Sequence, residues 1–272
     1  MIATMRISTW NVNSLGVRLP QVLDWLAAQA AANTPIDVLA LQELKLTDDK
    51  FPHAELEAAG YRAEAFGQKT YNGVALLTRL ALPALREVQR NITGFEDDQA
   101  RVIGATLDTP QGPLRIINGY FVNGQEPGSE KFAYKMRWMD ALRAQVQAEL
   151  GTHARLVLLG DYNIAPEDRD SHDPEGLRET IHHTTAERDQ FQALLALGLH
   201  DAYRLFDQPE KSFSWWDYRM LGFQKNRGLR IDHILVSDAL KSAVRGGTID
   251  PQPRQNKQPS DHAPVVLELQ DA

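Results

Sequence analysis

Cysteine is absent from all 272 residues, which excludes disulfide frameworks, thiol nucleophiles and zinc sites built on thiolates. No apolar run approaches the roughly 20 residues that cross a bilayer, and Met1 to Arg6 carry no apolar leader. The expectation is a soluble, cytoplasmic protein with no membrane partner. Positive charge is also scarce. Lys and Arg number 29 against 36 Asp and Glu, a formal net charge of −7, which argues against holding nucleic acid by bulk electrostatics and leaves room only for a local basic face. What is present is an ordinary globular balance of 43% hydrophobic and 24% charged residues, enough to bury a substantial core. The length suits one large domain or two small ones. No linker, repeat or low-complexity stretch divides the chain, so a single domain over 1–272 is expected.

Met5 to Trp10, Val38 to Leu41, Leu76 and its neighbours, Val102 to Leu107 and Leu114 to Tyr120 read as strands. The last two are joined as a hairpin through Thr109-Pro110-Gln111-Gly112. A helix opened by Pro20 carries Val22, Leu23, Trp25, Leu26 and Ala30. Lys131 to Leu150 places Phe132, Met136, Met139, Leu142, Val146 and Leu150 on one helical stripe. Leu156 to Leu159 is a wholly apolar strand, Thr185 to Leu197 a helix with Phe191 and Leu194 inward, and Ile231 to Val236 and Pro264 to Leu269 close the chain as strands. Strands both paired in hairpins and isolated between helices predict an α/β fold of mixed sheets with helices outside.

The functional signal stands at the strand ends. Asn11 and Asn13 follow the first strand, Gln42-Glu43 the second and Tyr120 the hairpin; Asp161-Tyr162-Asn163 follows the apolar strand. Asp232-His233 interrupts another, and Ser260-Asp261-His262 precedes the last. Residues shown at strand ends of layered α/β folds converge on one rim, and an oxygen-rich set suits a hard cation, Mg²⁺ or Mn²⁺. Taken singly, each piece has a plainer reading. Asn11 reads as a turn residue, Glu43 as a solvated strand terminus, Gly160-Asp161-x-Asn163 as a tight turn and Asp261-His262 as a local ion pair.

Five motifs occur in order: Trp10-Asn11-Val12-Asn13-Ser14, Leu41-Gln42-Glu43-Leu44-Lys45, Asn118-Gly119-Tyr120, Gly160-Asp161-Tyr162-Asn163-Ile164 and Ser260-Asp261-His262-Ala263-Pro264. Between the last two lie Phe213-Ser214-Trp215-Trp216-Asp217-Tyr218-Arg219 and Asn226-Arg227-Gly228-Leu229-Arg230-Ile231-Asp232. From Met5 to about Leu269 the chain resembles the bacterial exonuclease III family, the apurinic/apyrimidinic endonucleases of the endonuclease/exonuclease/phosphatase superfamily. The resemblance implies a four-layered α/β sandwich, two mixed sheets face to face with helices outside and the active site at one end. It implies a metal-dependent DNA-repair nuclease that acts, as a monomer, on duplex DNA at abasic sites, nicks or 3′ ends.

By that resemblance the ion is held among Asn11, Glu43, Asp161, Asn163, Asp261 and His262. Glu43 and Asn11 are the principal ligands and Asn13 assists through water. Asp161, with Asn163 two residues on and projecting to the same side of an extended segment, activates the attacking water. His262 donates to a phosphoryl oxygen, Asp232 orients its ring and favours its charged form, and Tyr120 hydrogen-bonds the phosphate. Trp215 lies beside the sugar of the target nucleotide. Arg101, Asn123, Lys135 and Arg227 are candidates for DNA contact, the last in a stretch, 219–230, that holds Arg219, Lys225, Arg227 and Arg230 and no acid. A phosphatase or phospholipase of the same superfamily, and a DNA-end binder without activity, are the competing readings.

Two features depart from the family pattern. Tyr162 takes the place of other large residues, which requires its ring to point into the core. Asp170 to His183 matches nothing recognisable; it reads either as a solvated loop or as a wall beside the target nucleotide, with Arg178 or a neighbour admitting a 3′ end and hindering an internal abasic site.

Overall fold

The computed structural model describes residues 4–270; Met1 to Ala3, part of the stretch read as lacking a leader, lie outside the described residues. The chain opens with β1 (Thr4–Asn11), α1 (Leu15–Ala31), β2 (Val38–Gln42), α2 (His53–Ala58), β3 (Tyr61–Phe66) and β4 (Val74–Arg79). It continues with β5 (Arg86–Arg90), β6 (Val102–Thr109), β7 (Gly112–Tyr120), α3 (Glu130–Leu150), β8 (Leu156–Asp161), α4 (Thr185–Leu195) and β9 (Leu199–Asp201). The last part holds β10 (Trp215–Trp216), β11 (Gly228–Leu229), β12 (Asp232–Ser237), α5 (Asp238–Lys241), β13 (Val244–Ile249) and β14 (Val265–Gln270).

Two six-stranded sheets result, in the orders β13-β14-β1-β2-β4-β3 and β5-β6-β7-β8-β12-β9, beside a two-stranded β10-β11 ribbon. Each large sheet contains one parallel pair, β1 with β2 and β7 with β8, and is otherwise antiparallel. The crossovers between those parallel pairs are α1 and α3, as parallel neighbours require. Ile7, Val38 and Leu76 of the first sheet pack with Ile103, Ile116, Val157 and Ile234 of the second in one core. On the outer faces, Val22, Trp25 and Leu26 of α1 cover the first sheet, while Met139, Leu142 and Val146 of α3 and Phe191 and Leu194 of α4 cover the second. The expected four-layered sandwich is therefore present. Burial on both faces is why Val38 to Leu41 and Leu156 to Leu159 are uninterrupted apolar runs.

The helix expected to open at Pro20 begins at Leu15 and carries Pro20 inside it. The chain reverses after β1 through Asn13 and Ser14, both at positive φ. The first free amides are then taken by tertiary acceptors, Ser14 N–H by the Glu43 carbonyl at 2.8 Å and Leu15 N–H by that of Leu44 at 3.0 Å. The buried side of α3 is also broader than its apolar stripe. It includes Lys135 and Trp138, while Phe132 is only half-buried.

Asp170, expected within an exposed or substrate-facing loop, has no exposed surface. Its carboxylate accepts from Arg230 Nε at 2.7 Å and Arg230 Nη2 at 3.2 Å and pairs with Arg204, and Arg230 also reaches Asp201 at 2.8 Å. Burial alone would raise the Asp170 carboxyl, but Arg230 beside it outweighs that and lowers it to about 2. Breaking a buried pair from one side costs about 3–5 kcal/mol, so Asp170→Asn should lose that order of stability in urea unfolding at neutral pH. The folded value lies below the unfolded carboxyl near about 3.9, so this contribution is full above that value and fades as the pH falls toward 2. The variant should lack this part of the acid transition.

Candidate active site

The parallel pairs bring their C-terminal ends to the same edge of the sandwich. Asn11 lies opposite Gln42 and Tyr120 opposite Asp161, while antiparallel β12 starts with Asp232 opposite Asp161. Gly160 makes this crowding possible. At its φ of 146°, a Cβ would stand 1.9 Å from the Gly119 carbonyl oxygen of the adjacent strand. Just beyond, the backbone turns at once. Asn163 adopts φ 52° and its N–H donates to Asp161 Oδ1 at 3.0 Å, a local turn in place of the expected extended segment. Tyr162 points into the core as required, stacked on Phe121 with ring centroids 4.0 Å apart.

Asn11 Nδ2 donates to Glu43 Oε1 and to Asp161 Oδ2, both at 2.9 Å, and Tyr120 Oη donates to the same Glu43 oxygen at 2.9 Å. His262 Nδ1 donates to Asp232 Oδ2 at 2.9 Å, leaving Nε2 aimed at Asp161 Oδ2, 3.7 Å away. Asp261 lies to one side, its two oxygens taken by Asn13 Nδ2 and Trp215 Nε1, each at 2.9 Å. Asn163 is turned away as well. Its Nδ2 donates to the Phe121 carbonyl at 3.0 Å and its Oδ1 accepts from Asn123 at 3.2 Å. Lys45, given no role by the sequence reading, reaches Glu43 Oε2 at 3.0 Å and Asn13 Oδ1 at 2.6 Å. Its place two residues beyond Glu43 was the available signal.

Charge explains the chemistry. Burial raises the Asp161 carboxyl, His262 lowers it, and Asp232 and Glu43 raise it further. Burial would lower His262, yet the carboxylates of Asp232 and Asp161 hold it well above the ordinary histidine value. The Tyr120 phenol is also pushed up, by burial and then by Glu43 and Asp161, so it is a neutral donor. Among the described residues, Glu43, Asp161 and His262 offer ligand atoms within 4.8 Å of one another. A buried carboxylate of raised basicity beside a second carboxylate is a hard-oxygen pair short of positive charge. A divalent cation fits it.

The profile described as "Endonuclease/Exonuclease/phosphatase family" matches residues 8–262. The chain belongs to this family. Exodeoxyribonuclease III of Haemophilus influenzae is 37% identical over 273 residues, covering 97% of this chain and all of that one. The 3′ phosphatase NExo from Neisseria, solved bound to a product DNA hairpin, is 47% identical with a TM-score of 0.91, over 97% of this chain and 99% of that one. An AP endonuclease from Archaeoglobus fulgidus is 32% identical with a TM-score of 0.89, over 98% and 100% of the two chains. The ordered motifs thus belong to an enzyme of the exonuclease III type, a hydrolase.

In this family member a cavity of about 850 Å³ lies across Trp215 from the rim, lined by Leu177, Thr180, His182, Trp215, Met220 and Arg227. Trp215 therefore stands between the cavity and Asp261. Arg227 and Asn123 are exposed. Two expected DNA contacts, and one cation of the basic stretch, are corrected by burial. Lys135 has no exposed surface and pairs with Glu187. Arg101 is spent on Gln99 and Tyr120, its Nε and Nη2 donating to Gln99 Oε1 at 2.8 and 2.6 Å, its Nη1 to the Tyr120 carbonyl at 3.1 Å, and its guanidinium 4.9 Å from the tyrosine ring centroid. Arg230, counted in the basic stretch, is held by Asp170 and Asp201. Arg178 is exposed and absent from the cavity wall that its neighbours Leu177 and Thr180 form.

The Asp232 partnership makes a direct prediction. In the metal-free protein the His262 ring should remain doubly protonated at about pH 8, beyond the ordinary histidine range. Asp232→Asn should bring its titration down toward that range. Nitrogen-15 shifts of the ring measure both, and an unchanged titration in the variant would contradict the assignment.

Proposed function

We propose that this DNA-repair nuclease hydrolyses phosphoesters at abasic sites and 3′ ends of duplex DNA, with Mg²⁺ or Mn²⁺, and that it works as a cytoplasmic monomer. The observation that carries this reading is the convergence of Glu43, Asp161 and an Asp232-paired His262 on one rim, next to a cavity walled by Trp215 and Arg227. The DNA hairpin held by the Neisseria 3′ phosphatase supports action at 3′ ends, and the archaeal AP endonuclease supports action at abasic sites.

Glu43 and Asp161 would hold the ion, which when bound supplies Lewis-acid charge to the phosphoryl oxygens and the attacking water. The Asn11 amide, its Oδ1 fixed by the Asn13 N–H at 2.9 Å, would hold the two carboxylates toward the ion through Nδ2. Asp161 takes the proton of the attacking water. Its Oδ1 is occupied by the Asn163 N–H, so Oδ2 faces the reaction. As the water oxygen bonds to phosphorus, the bond to the leaving oxygen breaks. His262, protonated through Asp232, donates from Nε2 to a non-bridging oxygen, where charge develops. A ring in that state has no lone pair to offer a metal, so His262 acts as donor and not as ligand. Tyr120 donates its neutral hydroxyl to the same phosphate. Trp215 packs on the sugar, and Arg227 and Asn123 meet the strand backbone.

Chelation should abolish cleavage of abasic and 3′-phosphate duplexes, and Mg²⁺ or Mn²⁺ should restore it; full turnover in excess chelator would overturn the reading. Asp161→Asn should lower kcat by about 10² to 10⁴ with DNA affinity little changed. The segment from Asp170 to His183 sets substrate choice through the cavity wall. Arg178→Ala, at an exposed residue next in sequence to the wall residue Leu177, should shift the ratio of abasic incision to 3′-end removal. An unchanged ratio, measured with both substrates on one preparation, would leave the segment a structural role only.

A further inference from the structure

Lys135 sits in mid-helix on α3 with no exposed surface, and its partner Glu187 in the first turn of α4 has none either. Taking an ammonium and a carboxylate out of water costs several kcal/mol per ion, and apolar residues of similar volume pack as well or better. The pair therefore calls for an account beyond packing. The ammonium has three N–H groups, and three acceptors surround it. These are Glu187 Oε1, the Asn163 carbonyl at 2.8 Å and the Asn123 carbonyl at 3.2 Å. None of the three donors is left over.

Both carbonyls belong to the reaction rim. Asn163 is the residue whose N–H fixes Asp161 Oδ1 at 3.0 Å, and Asn123 Nδ2 donates to the Asn163 side chain at 3.2 Å. Asn163 holds a positive φ, a conformation a non-glycine residue keeps only where its surroundings impose it. Its carbonyl is turned inward onto Lys135 and onto His182 Nδ1, at 2.7 Å. The lysine stem is as closely fitted as its head. A Cβ added at Gly124, which itself has φ 86°, would lie 3.0 Å from Lys135 Cδ. Glu187 extends the same chain of contacts. Its other oxygen accepts from Thr184 N–H at 3.1 Å and from Thr184 Oγ1 at 2.8 Å, capping α4 immediately after His182, which walls the cavity.

We infer that Lys135, backed by Glu187, is a positioning residue for the hydrolytic step. It holds the backbone of the 161–163 turn so that the Asp161 carboxylate keeps its aim, and it ties that turn to the wall of the nucleotide cavity. It touches neither substrate nor ion. The inference rests on Asp161 acting on the attacking water, as proposed above. It predicts that loosening this bolt lowers the rate of the bound complex more than it weakens binding, because Asn11, Glu43, Trp215 and Arg227 are untouched and, of the proposed DNA contacts, Lys135 holds Asn123 through its backbone carbonyl. Displacements of about an ångström at a reacting group can cost on the order of 10²-fold in rate.

The test is the double variant Lys135→Met with Glu187→Gln. It removes both buried charges together, and the glutamine still accepts from Thr184. On the full chain with abasic and 3′-phosphate duplexes, the variant should still unfold cooperatively, and kcat should fall about 10- to 100-fold on both substrates with KM rising by no more than a few-fold. A folded double variant with the parent kcat overturns the inference, as does one that loses KM alone. Should the double variant fail to fold, Gly124→Ala decides. It presses a methyl onto the lysine stem and should lower kcat by severalfold without raising KM, and a parent-like kcat in that folded variant also overturns the inference. Asp161→Asn, run alongside, separates this outcome from failure of the mechanism itself. If Asp161→Asn keeps full turnover, the assignment of Asp161 fails; if only the lysine variants do, the positioning role fails.

Discussion

Two sheets pressed face to face leave one end where four strands stop together, and the polar chemistry of the molecule depends on how closely they meet there. At that end β7 and β8 approach until a single Cβ at Gly160 would collide with the Gly119 carbonyl, and Asp232 is brought opposite Asp161 across β8 and β12. Immediately beneath, Gln42 Nε2 donates to Asn118 Oδ1 at 2.8 Å across the sandwich, and Asn118 Nδ2 donates back to the carbonyls of Leu41 and Ala75. These side chains bind one sheet to the other directly below Glu43 and Tyr120. The rim is consequently a rigid support of the kind that precise acid–base chemistry requires.

Crowding carboxylates into that space is electrostatically unfavourable, and the structure offsets it with hydrogen bonds and a paired imidazolium. Asp232 holds the charge on His262, Asn11 bridges Glu43 and Asp161, and Lys45 faces the outer oxygen of Glu43. What remains is a shortage of positive charge at Asp161, the place where a divalent ion and a phosphate would be received. Farther out, buried arginines and a buried lysine serve structure. Arg230 organises Asp170 and Asp201, Arg101 backs Tyr120, and Lys135 grips the turn after Asp161. An overall negative chain thus commits these cations internally, while Arg219 and Arg227 remain exposed at the cavity.

Legibility of the fold followed burial. Every interior strand of the two large sheets, β14, β1, β2 and β4 in one and β6, β7, β8 and β12 in the other, announces itself by its apolar residues, as a run in β2 and β8 and interspersed with polar residues in β1. The four edge strands, β13, β3, β5 and β9, do not. An edge strand is covered on fewer sides and needs no continuous apolar pattern; β5 reads Arg-Glu-Val-Gln-Arg. The start of α1 was hidden for a related reason. Its first amides are satisfied by the exit of β2, a partner far enough along the chain that no local capping residue is required.

The sequence by itself determined the interior strands, the long helices and, through motifs at strand ends, the residues that meet at the rim, because apolar periodicity and catalytic residue types are local properties. Only the tertiary structure decided which cations are free. Lys135 and Arg101 read as candidates for a DNA backbone and Arg230 as part of a basic stretch, yet Lys135 and Arg230 are removed from solvent by Glu187 and Asp170, 52 and 60 residues away, and Arg101 by Gln99 and Tyr120. Whether a charge faces a ligand or a buried carboxylate depends on packing between distant segments, and that information exists only once the layers have closed.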